Sequence, residues 1–155
     1  MEKTVEFVIF ERYNGLIKFW NGERIMCAIL LSINPNHVEN ILNGTKKYEF
    51  RKRVCKKPVD KIVIYSTTPV MKVVGEAEVE AILVDSPETI WKKTKTRSGI
   101  DKPFFDQYYK NRSQAVAYKL KNVVEFEKPR ELKEYGINAA PQSFRYIKEP
   151  QNGTC

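Results

Sequence analysis

The chain of 155 residues is the size of one domain and is long enough to bury a hydrophobic core. Hydrophobic residues make up 42% and aromatic residues 12%, which excludes a wholly disordered chain, and the formal net charge of +8 suits an anionic partner. No apolar run approaches the roughly 20 residues that cross a bilayer, and the N terminus lacks the pattern of a secretory signal. We therefore expect a cytoplasmic protein with no membrane partner.

Residues 1–25 differ in pattern from the rest and are predicted to be an N-terminal extension. Val5 to Phe10 is apolar enough to form a strand. A second apolar start appears at Met26, and Gly22-Glu23-Arg24 before it is what a purine-rich ribosome-binding site would encode if it were translated. One hypothesis is that Met26 is the natural start of the protein. The alternative is a genuine N-terminal hairpin.

The domain that follows is predicted to begin with a buried strand and a short helix. Residues 27–33 are apolar and favour β-structure. Asn34 is a good N-cap and Pro35 is tolerated in a first helical turn. Apolar residues then recur at helical spacing until Asn43-Gly44, which stops the helix.

Residues 46–54 alternate as a strand does, with one aromatic and one charged face. Tyr48 and Phe50 share one parity, and Glu49 and Arg51 share the other, so the two pairs are expected on opposite faces. Lys46 has the parity of the aromatic residues. It can join Glu49 only if it lies in the turn before the strand or if a bulge redirects it.

The remaining pattern alternates strands with irregularly placed short helices. We predict strands over 62–65, over 70–84 with a bulge or bend at Gly75, and over 115–126 with a break near Asn122; helices over 86–91, 102–109 and 129–135; loops at 66–69 and 93–100; and a closing segment over 140–146. This order predicts an α+β fold, a small mixed β-barrel with short flanking helices. The domain is expected to cover residues 26–149, with a frayed tail at 150–155.

Three cysteines and one histidine narrow the chemistry further. Cys27, Cys55 and Cys155 form no CxxC pair, so the sequence predicts neither a disulfide framework nor a zinc site. It therefore indicates a reducing compartment. His37 alone excludes two-histidine metal motifs, and no Walker loop or GxGxxG pattern is present. We expect no cofactor and no metal, and we interpret His37 as a surface residue of the short helix.

Most of the excess positive charge lies between Thr45 and Lys61, where eight residues are basic and two are acidic. Lysines often protect sheet edges from pairing, which accounts well for lysines such as Lys57. It accounts less well for Glu49 and Arg51, which alternate with aromatic residues inside a strand. Because a guanidinium group suits phosphates and base edges, the pattern favours a nucleic-acid or nucleotide partner whose binding weakens with salt.

Residues 44–51, Gly-Thr-Lys-Lys-Tyr-Glu-Phe-Arg, fit the pattern Gly-x-Lys-x-x-Glu-x-Arg and resemble the signature of ASCH domains in the PUA-like superfamily. The strand that begins at Met26, residues 65–69 and residues 141–144 also resemble segments of small prokaryotic members. The resemblance covers residues 26–147. It implies a compact PUA-like β-barrel with a cleft beside the first helix, where the family is proposed to bind RNA.

The same resemblance implies an enzymatic alternative. Some small members remove the acetyl group from acetylated cytidine with a Lys, a Thr and a Glu, and their nucleophilic Thr lies three positions after the signature Lys. Here that position is Glu49, and a carboxylate cannot form the acyl intermediate that a hydroxyl forms. We therefore expect a binding module rather than this enzyme, and we assign no catalytic residue.

The predicted function is a nucleic-acid-binding module, for RNA, that recognises an exposed base or nucleotide in a basic cleft and regulates translation or transcription. Glu49 can accept a hydrogen bond from an exocyclic amine, while Arg51 holds that carboxylate or a phosphate. The predicted binding residues are Lys46, Lys47, Glu49, Arg51, Arg53, Tyr65, Ser66, Thr67, Gln142 and Ser143. The alternatives are a hydrolase acting on a modified nucleoside and a small-molecule-sensing transcriptional regulator.

Overall fold

The computed structural model describes residues 27–147 in full and, before them, the backbone of segments 7–8, 17–20 and 23–24. Those segments pair as an antiparallel sheet of β1 (Phe7–Val8), β2 (Ile17–Trp20) and β3 (Glu23–Arg24). The β1–β2 pair agrees with the hairpin alternative, while the natural start of the protein and the domain bounds stay predictions. The predicted tail at 150–155 lies outside the described residues.

After residue 26, the described chain forms one curled, mixed sheet of six strands in the shape of a half-barrel. In spatial order the strands are β5 (Tyr48–Arg51), β8 (Ala115–Arg130), β7 (Lys72–Asp85), β6 (Lys61–Ser66), β4 (Ala28–Ile33) and β9 (Phe144–Ile147). The β4–β6 pair is parallel and the other neighbouring pairs of this sheet are antiparallel. The predicted α+β class with a small mixed barrel is confirmed.

Three short α-helices flank this sheet in the described residues: α1 (Pro35–Leu42), α2 (Pro87–Thr94) and α3 (Lys102–Tyr108). Single 3₁₀ turns follow at Lys95–Arg97 and Leu132–Tyr135. The ends of α1 are as predicted, because the Asn34 side chain accepts a 3.0 Å hydrogen bond from the Asn36 N–H, and the helix stops before Gly44 at φ +83°.

Both faces of β4 are buried, which explains why its sequence is apolar except at Ser32. Ile29 and Leu31 pack with side chains of α1 in one core cluster, whereas Leu30 packs with Tyr65 in a second. A third cluster, centred on Phe105, seats α2 and α3 against β5 and β8. The core thus fixes the end of β4, the start of α1 and the strand β5 relative to one another.

The predicted elements differ from the structure at several boundaries. The strand expected over 46–54 is limited to Tyr48–Arg51. Near Asn122 the predicted break is present as an irregularity inside β8 rather than as its end, because the pairing with β7 shifts register between Lys121 and Val124 and Asn122 takes a φ of 48°. The helix predicted from Pro129 begins only at Leu132, since pairing between Arg130 and Val73 of β7 keeps the chain extended that far.

The bend predicted at Gly75 is present as a register shift between β7 and β8. A Cβ atom at Gly75 would lie 2.5 Å from the Val124 carbonyl oxygen, so the close approach of the two strands requires glycine there.

Cysteine pairing departs from the prediction, because Cys27 is disulfide-bonded. Cys55 is free and buried. Within residues 27–147 no three or more His, Cys, Asp or Glu side chains gather as a potential metal site. None of the described helices has the length and apolar character needed to span a membrane.

Candidate functional site

A cavity of about 160 Å³ opens between the end of β4, the start of α1, β5 and α3. Its floor is polar and charged, and its walls are aromatic and aliphatic. The lining residues are Ser32, Ile33, Asn34, His37, Lys46, Glu49, Phe50, Arg51, Ile100, Phe104 and Tyr108.

The local structure explains why these side chains converge. β4 ends beside Asn34, whose capping of α1 directs the first helical turn and His37 toward the cavity. On the other side, the Tyr109 hydroxyl donates a 2.9 Å hydrogen bond to the Arg51 carbonyl oxygen, and the Tyr108 hydroxyl donates a 3.4 Å bond to that of Phe50. These bonds hold the end of α3 against β5.

Glu49 and Arg51 form the centre of the charged floor. The Nη2 atom of Arg51 donates to Glu49 Oε1 at 3.0 Å and to the Ser32 carbonyl oxygen at 3.1 Å. The Arg51 Nε atom is buried and has no hydrogen-bond partner among the described residues. Since buried donors are rarely left without an acceptor, Arg51 has hydrogen-bonding capacity that the protein does not use.

Lys46 completes the charged floor from the turn before β5. Its backbone N–H donates to the Asn40 carbonyl oxygen at 2.8 Å, and its Nζ donates to the Ser98 carbonyl oxygen at 2.9 Å. Nζ also lies 3.9 Å from Glu49 Oε2 and 4.6 Å from the centre of the Phe50 ring. The sequence allows Lys46 to lie either in the turn before the strand or at a bulge within it. In the structure Lys46 lies in the turn, because β5 begins at Tyr48.

Gly99 holds Lys46 in this position. It has a φ of +65°, and a Cβ atom here would lie 2.4 Å from the Lys46 Cβ. The Asn40 side-chain amide donates to the Gly99 carbonyl oxygen at 3.4 Å, which ties the 98–100 turn to α1. Only glycine allows this turn to cover the lysine so closely.

The buried charges shift the protonation equilibria of the cavity. Burial lowers the pKa of the Lys46 ammonium, and Arg51 lowers it further, while Glu49 acts in the opposite direction. Burial lowers the pKa of His37 as well, with an additional contribution from the Lys46 charge, so the imidazole is neutral at pH 7. The cavity then holds two cationic groups and one carboxylate.

The walls offer flat, largely apolar surfaces. His37 and Phe104 meet edge to face with ring centres 5.3 Å apart, and 49% of the Phe104 surface is exposed. Burial raises the pKa of Tyr108, so its hydroxyl stays protonated. Such walls can stack on a planar ring while the floor supplies donors and acceptors to its edge.

The structure brings together three of the ten predicted binding residues, Lys46, Glu49 and Arg51, at this cavity. Lys47 and Arg53 are exposed and do not line it. Lys47 instead precedes β5 with its backbone N–H bonded to the Arg97 carbonyl oxygen at 2.9 Å.

The other predicted residues lie around the cavity without lining it. Tyr65 packs in the second core cluster, on the opposite face of the sheet. Ser66 is buried, and the Thr67 N–H donates to the Ile33 carbonyl oxygen at 3.0 Å. Gln142 and Ser143 are exposed.

The 141–143 segment supports the cavity through Ser32. The Ser32 hydroxyl donates to the Pro141 carbonyl oxygen at 2.6 Å, and the Ser32 N–H donates to the Ser143 carbonyl oxygen at 3.2 Å. Backbone carbonyl groups of this segment, rather than its side chains, therefore position a cavity residue.

Eight of the eleven lining residues were not predicted as site residues from the sequence. The interpretation of His37 as a surface residue is wrong, because it is half-buried and lines the cavity. Its place three residues after the Asn34 cap was the signal, since both then lie at the end of α1 that faces the sheet. Phe104 and Tyr108 gave no such signal, because aromatic residues on a short helix are more often core.

The fold agrees with that of a solved structure. The crystal structure of ASCH from Zymomonas mobilis superposes with a TM-score of 0.72 and 25% sequence identity, over 79% of this chain and 88% of that one. The ASCH-like, PUA-like α+β fold that residues 44–51 predict is confirmed.

Residues 26–149 match the family described as "Domain of unknown function (DUF365)", and the chain belongs to that family. The "ATP synthase subunit alpha" of Ureaplasma parvum is 34% identical over 122 residues, which are 78% of this chain. The chain spans only 15% of the length of that relative. An "ASCH domain-containing ribonuclease" of Zymomonas mobilis is 27% identical over 126 residues, covering 79% of this chain and 85% of the relative.

Proposed function

We propose that the cavity binds one unpaired base of a cytoplasmic RNA. The observation that carries the proposal is the buried Lys46–Glu49–Arg51 cluster at the floor of a cavity with aromatic walls. A cavity of roughly 150 Å³ accommodates a benzene ring, so one of about 160 Å³ suits a single heterocycle better than a base pair.

The chemistry of the floor matches the edge of a base. Glu49 has one carboxylate oxygen held by Arg51 at 3.0 Å, while its other oxygen is 3.9 Å from Lys46 and is free to accept from an exocyclic amine. The positive charges of Lys46 and Arg51 favour the phosphate of the same nucleotide. Unpaired RNA bases are typically recognised in this way, by stacking and by hydrogen bonds to the exposed edge.

The Zymomonas relative is named a ribonuclease, which makes RNA the favoured nucleic acid. A regulatory role in translation or transcription belongs to the same proposal, because a module that captures one exposed base can mark or block a transcript.

Binding is tested with a fluorescein-labelled, mixed-sequence single-stranded RNA of eight nucleotides by fluorescence anisotropy. Phe104→Ala removes an exposed wall without touching the charged floor. Loss of a stacking partner costs about 1–3 kcal/mol per base, so we expect the affinity to fall roughly 5- to 150-fold. Val124→Ala, at an exposed apolar position on β8 away from the cavity, is the control and should bind as the wild type does.

Arg51→Ala tests the floor, with Lys92→Ala as the control for equal loss of charge. Arg51→Ala should bind RNA more weakly than Lys92→Ala, and both must keep the wild-type circular dichroism spectrum. Unchanged binding by both Phe104→Ala and folded Arg51→Ala would contradict the proposal.

A second candidate function is cleavage of the bound RNA, which the neutral imidazole of His37 favours. A neutral imidazole at the cavity can accept the proton of a ribose 2′-hydroxyl as that oxygen attacks the adjacent phosphorus. The new bond closes a 2′,3′-cyclic phosphate, while the bond from phosphorus to the 5′-oxygen of the next nucleotide breaks and that oxygen takes a proton from water. At RNA concentrations that saturate both proteins, cleavage should then fall about 100-fold or more in His37→Asn. Gel analysis of end-labelled RNA measures this, and cleavage that is equal in both proteins would contradict a role for His37.

A further inference from the structure

The chain on the Tyr108 side of the cavity carries an unusual concentration of positive charge. Residues 51–59 and 107–116 together contain seven basic residues and no Asp or Glu. The two segments are joined, because Arg51 pairs with Val116 in the β5–β8 ladder and accepts the Tyr109 hydroxyl bond described above. Strand pairing therefore places the two segments side by side.

Four exposed residues of these segments form what we call the basic rim: Lys52, Arg53, Lys110 and Arg112. Lys52 Nζ lies 4.8 Å from the centre of the Tyr108 ring, which itself lines the cavity. Arg112 follows α3, with its N–H bonded to the Tyr109 carbonyl oxygen at 2.9 Å. Burial raises the pKa of Tyr108, and the charge of Arg112 reaches the phenol closely enough to oppose that rise. Lys52 and Arg112 thus lie beside Tyr108 at the cavity, and Arg53 and Lys110 are their exposed neighbours in the chain.

The rim cations have no carboxylate partner among the described residues, unlike many lysines elsewhere on the protein. Lysines with a carboxylate partner include Lys61, Lys72, Lys92, Lys93, Lys102, Lys119 and Lys121. Unpaired cations gathered beside a ring-sized cavity are arranged for an anionic ligand that extends beyond the cavity.

We infer that the basic rim holds the phosphodiester backbone beside the captured base, so that the ligand is a single-stranded RNA segment rather than a free nucleoside or nucleotide. The inference rests on the proposed function and specifies its substrate class. A free nucleotide places one phosphate near Arg51 and leaves the rim empty, whereas a strand places successive phosphates along it.

The experiment compares two kinds of ligand and two triple variants. The ligands are the labelled eight-nucleotide RNA and the four nucleoside monophosphates, measured separately by anisotropy and by calorimetry at 50 to 200 mM salt. The rim variant is Lys52→Gln, Arg53→Gln and Arg112→Gln. The control variant removes three paired lysines away from the cavity, Lys72→Gln, Lys92→Gln and Lys121→Gln, and so makes the same change in net charge.

Each contact with a single-strand phosphate adds about 0.7 to the steepness with which log affinity falls against log salt. The rim variant loses three such contacts, so the steepness of its salt dependence should decrease by about 2. Over a fourfold change in salt this corresponds to a factor of about 16. The wild type should bind the RNA more tightly than any monophosphate. The rim variant should lose that advantage while its monophosphate affinity is unchanged, and the control variant should keep the wild-type slope to within about 0.7.

The outcomes separate this inference from the proposed function. If the rim variant keeps the wild-type slope, or if RNA and monophosphates bind equally well, the inference is wrong while base binding in the cavity stands. If the wild type binds neither ligand, the proposed function fails and the inference fails with it.

Discussion

Replacing Glu49 by Gln should strongly destabilise the protein at neutral pH. Glu49 is 6% exposed and lies between Arg51, at 3.0 Å, and Lys46, at 3.9 Å, whose side chains are 13% and 2% exposed. The substitution keeps the shape of the side chain but leaves two buried cations without the carboxylate that balances them.

Removing one partner of a buried ion pair costs about 3–5 kcal/mol. We expect a value near 3 kcal/mol, because the glutamine carbonyl oxygen can still accept from Arg51. Its amide N–H groups, however, cannot pair with Lys46. The loss should shrink as pH rises, since loss of Glu49 lowers the pKa of Lys46 further and the ammonium then gives up its proton at lower pH in the folded state.

Urea unfolding followed by circular dichroism at pH 7 and pH 9 measures both effects. Glu88→Gln is the control, because Glu88 forms an exposed i,i+4 pair with Lys92 and should matter little. A loss below about 1 kcal/mol for Glu49→Gln at pH 7, or a loss that grows toward pH 9, would refute the account of the charged floor.

Three further predictions follow from the same contacts. Gly99→Ala should cost about 1–3 kcal/mol in urea unfolding because its Cβ would overlap Lys46, whereas Gly44→Ala, also at positive φ but with no atom within 4 Å of the added Cβ, should cost less. Because the pKa of His37 is lowered in the folded state, the unfolded chain binds more protons between that pKa and about 6.5. The free energy of unfolding should therefore fall from pH 7 to pH 5. His37→Asn should lose less of its free energy of unfolding over this interval than the wild type does. Chromatography should detect no acetate release from acetylated cytidine, because Glu49 replaces the nucleophilic hydroxyl; product that requires the protein and is lost in Lys46→Ala would contradict this expectation.

The sequence predicted those parts of the fold that depend on local patterns. The apolar run before Asn34, the Pro35 start and the Asn43-Gly44 stop give β4 and α1 nearly at their observed bounds. Alternation also placed Glu49 and Arg51 together. Local signals sufficed here because caps, turns and strand parity are set by neighbours in the chain.

The walls of the site could not be predicted because they depend on packing between distant elements. Phe104 and Tyr108 reach the cavity only because the cluster around Phe105 seats α3 against β5. Tyr65 fails to reach it for the corresponding reason, since β6 turns that side chain toward Leu30 and Val73 on the other face. Strand parity alone does not say which face of a central strand a cleft will use.

A crystal structure of the protein with a short single-stranded RNA tests base capture most directly. We expect one unstacked base in the cavity, within about 2.7–3.2 Å of Glu49 or Arg51 and in contact with the Phe104 ring. An RNA bound on another face, with the cavity empty of any base, would contradict it.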